Sequence, residues 1–388
     1  MSVAIAATDY EVSYPPFVVC AHRGGLDVID QLAREWRELC ATALDDQPFY
    51  RPEFIRAHVR AAIPSAKVVI LTVREQGELL LVLPLVEELA TFSKIPVRRL
   101  RAPVNLHCGR FDAVRKQGLQ GDAAVAAAWD YLREMAGWDM LHLRYSPSGS
   151  TVSCLVAKAQ AEGLLTIEVP DRPSPYVPLP SDPDSLKGMP PNSKLRSQLR
   201  QIRRRMAEEG SLKFCRSDTA DGDVLSRLFS LEASGWKGRH RSAVNCNPQT
   251  RQFFDELAES AAHFGYLSLY SLEFRGELIA AHYSLAYKGL CYSPIVAHNE
   301  KFRQFAPGHL MVGAIIGDCV VRGFRGYDIT GEDQDWKMKW ATKSIPISHY
   351  YVFRGRLGNL AYRVESRLGA RARSLLRRKP AQKGETGD

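Results

Sequence analysis

"RQFAPGHLMVGAI", residues 303–315, sets Pro307-Gly308 directly before residues that turn apolar at helical spacing. Two readings are open. The stretch is an ordinary turn into a buried helix, or it is a backbone cradle for a phosphate. Where such a loop joins a strand to a helix, the first helical amides have no partner one turn back and the positive end of the helix dipole lies behind them. That arrangement binds an anion without a side-chain charge. On the second reading, the amide hydrogens of residues 308–310 are unpaired and point outward.

The totals set the frame. A chain of 388 residues exceeds one ordinary core, which predicts two domains, and 45% hydrophobic with 24% charged residues supplies a core for each. The net charge is +9, and nine basic residues against the single acid Glu365 lie between Arg354 and Lys379. The excess is therefore a local tail, which argues against a whole-protein nucleic-acid binder and for a segment that meets phosphate, anionic lipid or water. The eight cysteines are scattered, with no Cys-x-x-Cys pair or Cys/His cluster at metal-ligand spacing, so no metal is expected and they read as small buried hydrophobes in a reducing compartment. The first residues lack a basic n-region and no apolar run reaches membrane-spanning length. The expected location is cytoplasmic, with peripheral contact at the inner membrane as a variant of it.

Along the chain, residues 28–62 read as helix in two pieces broken at Pro48 and Pro52, and two strands flank a turn at Gln76-Gly77. A helix ending near Gly137 and the strand "DMLHLRYS" follow. Eight prolines between 170 and 191 predict an extended connector and a domain boundary. Beyond it Asn192 or Ser193 caps a helix with six basic residues, of which Arg196, Arg200, Arg203 and Arg204 share one face. Then come a strand, two helices, three strands turning at Arg275-Gly276 and Lys288-Gly289, the 303–315 loop and helix, the strand "GYDIT" and a last strand "ISHYYVF". The expected division is 1–180, 181–353, and a basic C-terminal helix and tail over 354–388.

The order of elements after residue 190, with "LEASGWKGR" at 231–239, "GELIAAHYSL" at 276–285, "APGHLM" at 306–311 and "RGFRGYDITGEDQDWKMKW" at 322–340, resembles the GNAT acyl-CoA N-acyltransferase fold. More narrowly it resembles the acetyltransferase domain of CelD-like (cellulose-biosynthesis) proteins, and it is related to the Fem-type peptidoglycan aminoacyltransferases. The resemblance implies an α/β (α+β) chain of tandem GNAT-like domains, the first degenerate, each a mixed and mostly antiparallel sheet flanked by helices. It implies that the loop before the 307 helix grips the pyrophosphate of acetyl-CoA or another acyl-CoA, although "FRQFAPGHL" departs from the fuller glycine-rich consensus. It also implies that the acceptor is a small-molecule amine or an envelope or exopolysaccharide precursor. Two alternatives accompany it: an aminoacyl-tRNA-dependent Fem-like transferase, the one reading with a nucleic-acid partner, and a non-catalytic module held at an anionic membrane by the basic tail.

Acyl transfer from a thioester to an amine requires placement in a dry site, a base for the ammonium proton, donors for the oxyanion and an acid for the thiolate. The strand "YSPIVAH", with Val296 and Ala297, is the expected supplier of backbone donors, and Arg303, Gly308, His309 and Leu310 form the cofactor loop. His282, on a central strand, is either the base or a bonded core histidine. Asp328 either orients the acceptor amine or caps a turn. Lys337, between Trp336 and Trp340, either meets an anionic group or snorkels over an apolar face. Tyr283 is either the thiolate-protonating acid or a plain strand aromatic. Trp236, Lys237 and Trp336 are the expected acceptor-site residues, with ordinary core as the other reading of Trp236.

Overall fold

The computed structural model describes residues 10–363, apart from 93, 106, 108, 357 and 361. It is a mixed α/β structure of two lobes, each built on a twisted sheet with helices on its faces. In the second lobe the strands lie in the order Leu212–Ser217, Leu267–Phe274, Glu277–Tyr287, Leu290–His298, Gly326–Asp328, Ser174–Pro178, Lys343–Ile345. The hairpins turn where the sequence places them. Arg275-Gly276 and Lys288-Gly289 all have positive φ, as does Gln76-Gly77 in the first lobe. Two left-handed residues in a two-residue loop match the right-handed strand twist, and glycine makes the second of them cheap.

The two sheets exchange strands. Ser174–Pro178 leaves the first lobe and pairs between Gly326–Asp328 and Lys343–Ile345 of the second. Ile347–Phe353 returns and pairs between Met140–Pro147 and Leu165–Pro170 of the first. A boundary at 180 and another at 353 therefore assign each strand to the lobe whose sheet it does not join. The proline-rich connector is extended as expected, yet five of its residues form a strand, with Pro175 and Pro178 placing the missing amides near the strand's ends. Next to it, Gly326 leaves room for the Tyr176 ring, which a Cβ there would force aside.

The cores of the lobes merge. Helix Pro52–Ala62 packs on helix Pro248–His263, with Phe54 edge-on to Phe253 at 5.2 Å and Phe49 edge-on to Tyr292 at 5.3 Å. A second apolar cluster lies under the other face of the second sheet, where Leu195, Leu199, Ile202 and Met206 of the basic helix Ser193–Glu209 meet Leu310, Met311 and Ile315. Its arginines divide into roles. Arg196 Nη1 donates to the carbonyls of Gly188 and Pro190 at 2.8 and 2.6 Å, and Arg204 and Arg205 pair with Glu208 and Glu209. Among the cysteines, Cys40, Cys291 and Cys319 are buried as expected, whereas Cys154 and Cys246 are exposed on the surfaces of helical segments. The expected basic C-terminal helix is helical where described between 355 and 363; the remainder lies outside the described residues. Among the described residues no helix is long and apolar enough to cross a membrane.

The exchange makes one prediction. Cut at 180, each fragment keeps a strand its own sheet cannot pair. Fragments 1–180 and 181–388 expressed apart will show no cooperative thermal transition by circular dichroism, and mixing them will restore one. Two separate, fully cooperative transitions from the isolated fragments would contradict the arrangement.

Candidate active site

The parallel neighbours Leu290–His298 and Gly326–Asp328 share three residue pairs, 290 with 326, 291 with 327 and 292 with 328, and then part. Beyond Tyr292 the strand continues along its antiparallel partner alone, with Val296 opposite His282 and Ala297 opposite Ala281. The wedge so opened is a cleft of about 540 Å³. Ser293, Pro294, Val296 and Ala297 form one wall, and Ile329, Thr330 and Gly331 the other. Pro307, Gly308 and His309 line it beside the start of the following helix, the exposed Trp236 stands at the mouth, and Lys237, Trp336 and the buried Lys337 complete the lining.

The helix end is less open than the sequence reading requires. Ala306, the residue before the helix, is left-handed (φ 47°) and turns its carbonyl under the first turn. That oxygen accepts from His309 N at 3.0 Å and from Leu310 N at 3.1 Å. Pro307 has no amide hydrogen and Ala306 N donates to Arg303 O at 3.0 Å. Of the three amides expected to be free at 308–310, two are bonded, and Gly308 alone retains an unpaired donor at the cleft. The side chain of Leu310 lies in the apolar cluster, so that residue does not face the cleft at all. His309 compensates: its Nδ1 accepts from Trp340 Nε1 at 2.9 Å, which leaves the neutral ring with its proton on Nε2 as a donor. Burial lowers this histidine to a pKa of about 4 and keeps it neutral.

His282 lines the cleft and is buried, with Nδ1 hydrogen-bonded to the Tyr327 hydroxyl at 3.3 Å. Burial first, then the charges of Lys237 and His298, lower its pKa to about 3. An imidazole that weakly basic is a poor acceptor for an ammonium proton at neutral pH, so the structure disfavours it as the base and keeps it as a polar wall residue. Tyr283 is adjacent on the same strand and points to the opposite face. It stacks with Phe229 and meets Phe254 edge-on, and its hydroxyl donates to Phe254 O at 3.4 Å. Strand alternation therefore removes it from the cleft, and it is no candidate for the acid.

Asp328 is also turned away from the cleft. Its carboxylate pairs with Arg110 of the first lobe and accepts from Ser174 Oγ at 3.2 Å and Thr330 N at 2.8 Å, so its bonds go to the protein and it does not line the cleft where a substrate amine would sit. Lys337 is buried at the cleft, with Nζ donating to Thr330 O at 2.6 Å and lying 5.7 Å from the Trp336 ring centroid. Burial, against the opposing fields of Asp328, Glu332 and Asp333, lowers its pKa to about 8. Trp236 is 50% exposed and lines the mouth, which excludes the ordinary-core reading. Lys237 pairs at 2.7 Å with Glu232, a buried carboxylate that also accepts from Val244 N at 2.9 Å. Glu232 was not singled out in the sequence; the break at Gly235, which folds 236–239 back, is the signal that brings the two together. Arg303 reaches the cleft with no ion-pair partner among the described residues.

The charged groups on the cleft surface are all basic, although Lys237 is balanced by Glu232 behind it. Among the described residues that line the cleft there is no carboxylate, while Lys237, Arg303 and Lys337 are cationic. Elsewhere among the described residues, no group of three or more His, Cys, Asp or Glu could hold a metal ion.

Residues 193–338 match the family model described as acetyltransferase (GNAT) domain. No curated protein sequence matches the chain. The structure of FemX is similar over 83% of this chain and 96% of its own, with a TM-score of 0.57 at 12% identity. So is the C-terminal domain (DUF2156) of a putative lysylphosphatidylglycerol synthetase from Agrobacterium fabrum, over 89% of this chain and 96% of its own, with a TM-score of 0.52 at 12% identity. At that identity the likeness is one of fold. Residues 193–338 thus carry the likeness to an acetyltransferase (GNAT) domain, within a two-lobed α/β fold that resembles that of FemX over 83% of the chain.

Proposed function

We propose that the chain transfers an acyl group, in the first instance acetyl, from acyl-CoA to an amine. The observation that carries this reading is the parting of strands Leu290–His298 and Gly326–Asp328 into an apolar-walled, carboxylate-free cleft beside the start of helix Pro307–Val321. A pantetheine arm is long, narrow and hydrogen-bonds like a peptide, so it suits a gap between two strands. The attached diphosphate suits the Gly308 amide, the His309 Nε2 donor and Arg303. The acceptor enters past Trp236 and Trp336. By resemblance to the CelD-like proteins, it is an amine of a small molecule or of an envelope precursor.

In the chemical step the amine nitrogen attacks the thioester carbonyl. The C–N bond forms, the C–S bond breaks and the nitrogen loses one proton. Lys337 is the group to take it: its neutral amine has a lone pair, and a conjugate acid near pH 8 is matched to the task. The protonated lysine then returns that proton to the departing thiolate.

A second reading keeps the site and changes the donor to an aminoacyl-tRNA. It is favoured by a groove on the far side of Trp340, where Arg200 and Arg203 of the basic helix have no ion-pair partner among the described residues. The readings separate on salt. A tRNA donor loses affinity steeply with ionic strength, in proportion to the phosphates neutralised, whereas acyl-CoA does so weakly.

Calorimetric titration of acetyl-CoA tests the first reading. The parent is expected to bind, and Gly308→Leu to bind at least about tenfold more weakly, because its side chain projects toward His298 in the cleft. A Cβ at this position meets nothing nearer than 3.7 Å, so Gly308→Ala keeps both fold and binding. Absence of heat from the parent would remove the acyl-CoA assignment.

The base assignment has its own test. Because the active form is the deprotonated amine, kcat rises with pH along a titration curve whose midpoint lies at about 8 and levels off roughly one to two units above it. Lys337→Met is expected to lower kcat by roughly 10²–10⁴ with KM for the acyl donor little changed, and Lys337→Arg not to rescue it, since a guanidinium accepts no proton. A rate that falls above pH 8 would show that the cation, not the base, is the working form.

A further inference from the structure

We propose that Arg110, a first-lobe residue, is a positioning residue for Lys337 across the lobe interface, so that the first lobe completes the active site of the second. The inference rests on the role given to Lys337 above. The chain of contacts is continuous. Arg110 is 3% exposed, with Nη1 donating to Gln47 Oε1 at 3.1 Å and Nη2 paired with Asp328. Asp328 Oδ1 accepts from Thr330 N at 2.8 Å and so pins a left-handed residue, φ 52°. A threonine does not adopt that conformation without such a constraint. Thr330 is held on its other side by Oγ1 donating to Ser293 O at 2.9 Å. Its carbonyl, thus fixed, accepts from Lys337 Nζ at 2.6 Å. Backbone of the Arg110 loop also lies beside this turn, with the Cβ position of Gly109 3.8 Å from Gly331 N.

Arg110 has an electrostatic part as well. The charges acting on Lys337 are Asp328 from the strand, Glu332 and Asp333 from the following loop, and Lys237 from the helix after Gly235. The acids favour the ammonium and Lys237 opposes it. Asp328 is the nearest acid in this chain of bonds, and the Arg110 guanidinium paired with it offsets its field. Removing Arg110 leaves Asp328 unbalanced beside Lys337, which favours the charged lysine and moves its titration upward.

The experiment compares the full-length protein with Arg110→Met, Arg110→Lys and the double variant Arg110→Met/Asp328→Asn, following Lys337 by NMR of isotopically labelled lysine and assigning its signal by its loss in Lys337→Arg. In the parent the midpoint is expected at about 8. In Arg110→Met it rises by about one unit or more, kcat at pH 7.5 falls about tenfold, and KM for acetyl-CoA changes less than about twofold. In the double variant the midpoint returns toward the parent value. A folded Arg110→Met with an unmoved midpoint and unchanged kcat overturns the proposal. Should Arg110→Met fail to fold, Arg110→Lys decides: it keeps the charge and loses the two-armed geometry, so a fall in kcat at constant KM supports positioning and an unchanged kcat overturns it. A parent midpoint near the ordinary lysine value, by contrast, defeats the base assignment itself, and is told apart by appearing before any change at Arg110.

Discussion

Neither sheet of this protein is complete without a strand from the other half of the chain. Ser174–Pro178 fills the gap between Gly326–Asp328 and Lys343–Ile345, and Ile347–Phe353 fills the matching gap in the first lobe. An unfilled gap would leave rows of backbone donors and acceptors without partners inside the molecule, so the exchange fixes how the lobes sit. It also fixes one wall of the cleft. Ser174 of the exchanged strand bonds Asp328, and Asp328 sets the turn at Thr330 where the two parallel strands have just parted. The cleft is thus a consequence of how the strands are shared.

Within the cleft, burial sorts the titratable groups. It pushes His282 and His309 far below neutrality, where they act as neutral donors or acceptors, and brings Lys337 down to about 8. The same desolvation that leaves the histidines too weakly basic for the task brings the lysine into range for the base role proposed for it. An imidazolium and an ammonium both lose hydration, but they start on opposite sides of the working pH.

Much of the fold was legible in the sequence. Apolar periodicity located the helices and strands of the second lobe, and the residue-glycine pairs at 275–276 and 288–289 located its turns, because those are local effects with local causes. Of the residues expected at the site, Trp236, Lys237, His282, Val296, Ala297, Arg303, Gly308, His309, Trp336 and Lys337 line one cleft. What was not legible depends on partners distant in the chain. Nothing near Asp328 announces Arg110, 218 positions away, and nothing in a proline-rich stretch announces that it will be a shared strand. The bonded amides at 309 and 310 follow from the left-handed turn at Ala306, an unusual conformation for alanine and one without a sequence signal. The exclusion of Tyr283 was available, since neighbours on a strand face opposite ways and His282 and Tyr283 cannot share a cleft.

The shared strands also bear on how the molecule is made. As the chain leaves the ribosome, the first sheet is held open between Met140–Pro147 and Leu165–Pro170 until Ile347–Phe353 emerges, close to the end of the described chain. The first half cannot be finished before the second is synthesised, and its open edges are exposed throughout elongation, so maturation waits on the arrival of Ile347–Phe353, the last strand among the described residues.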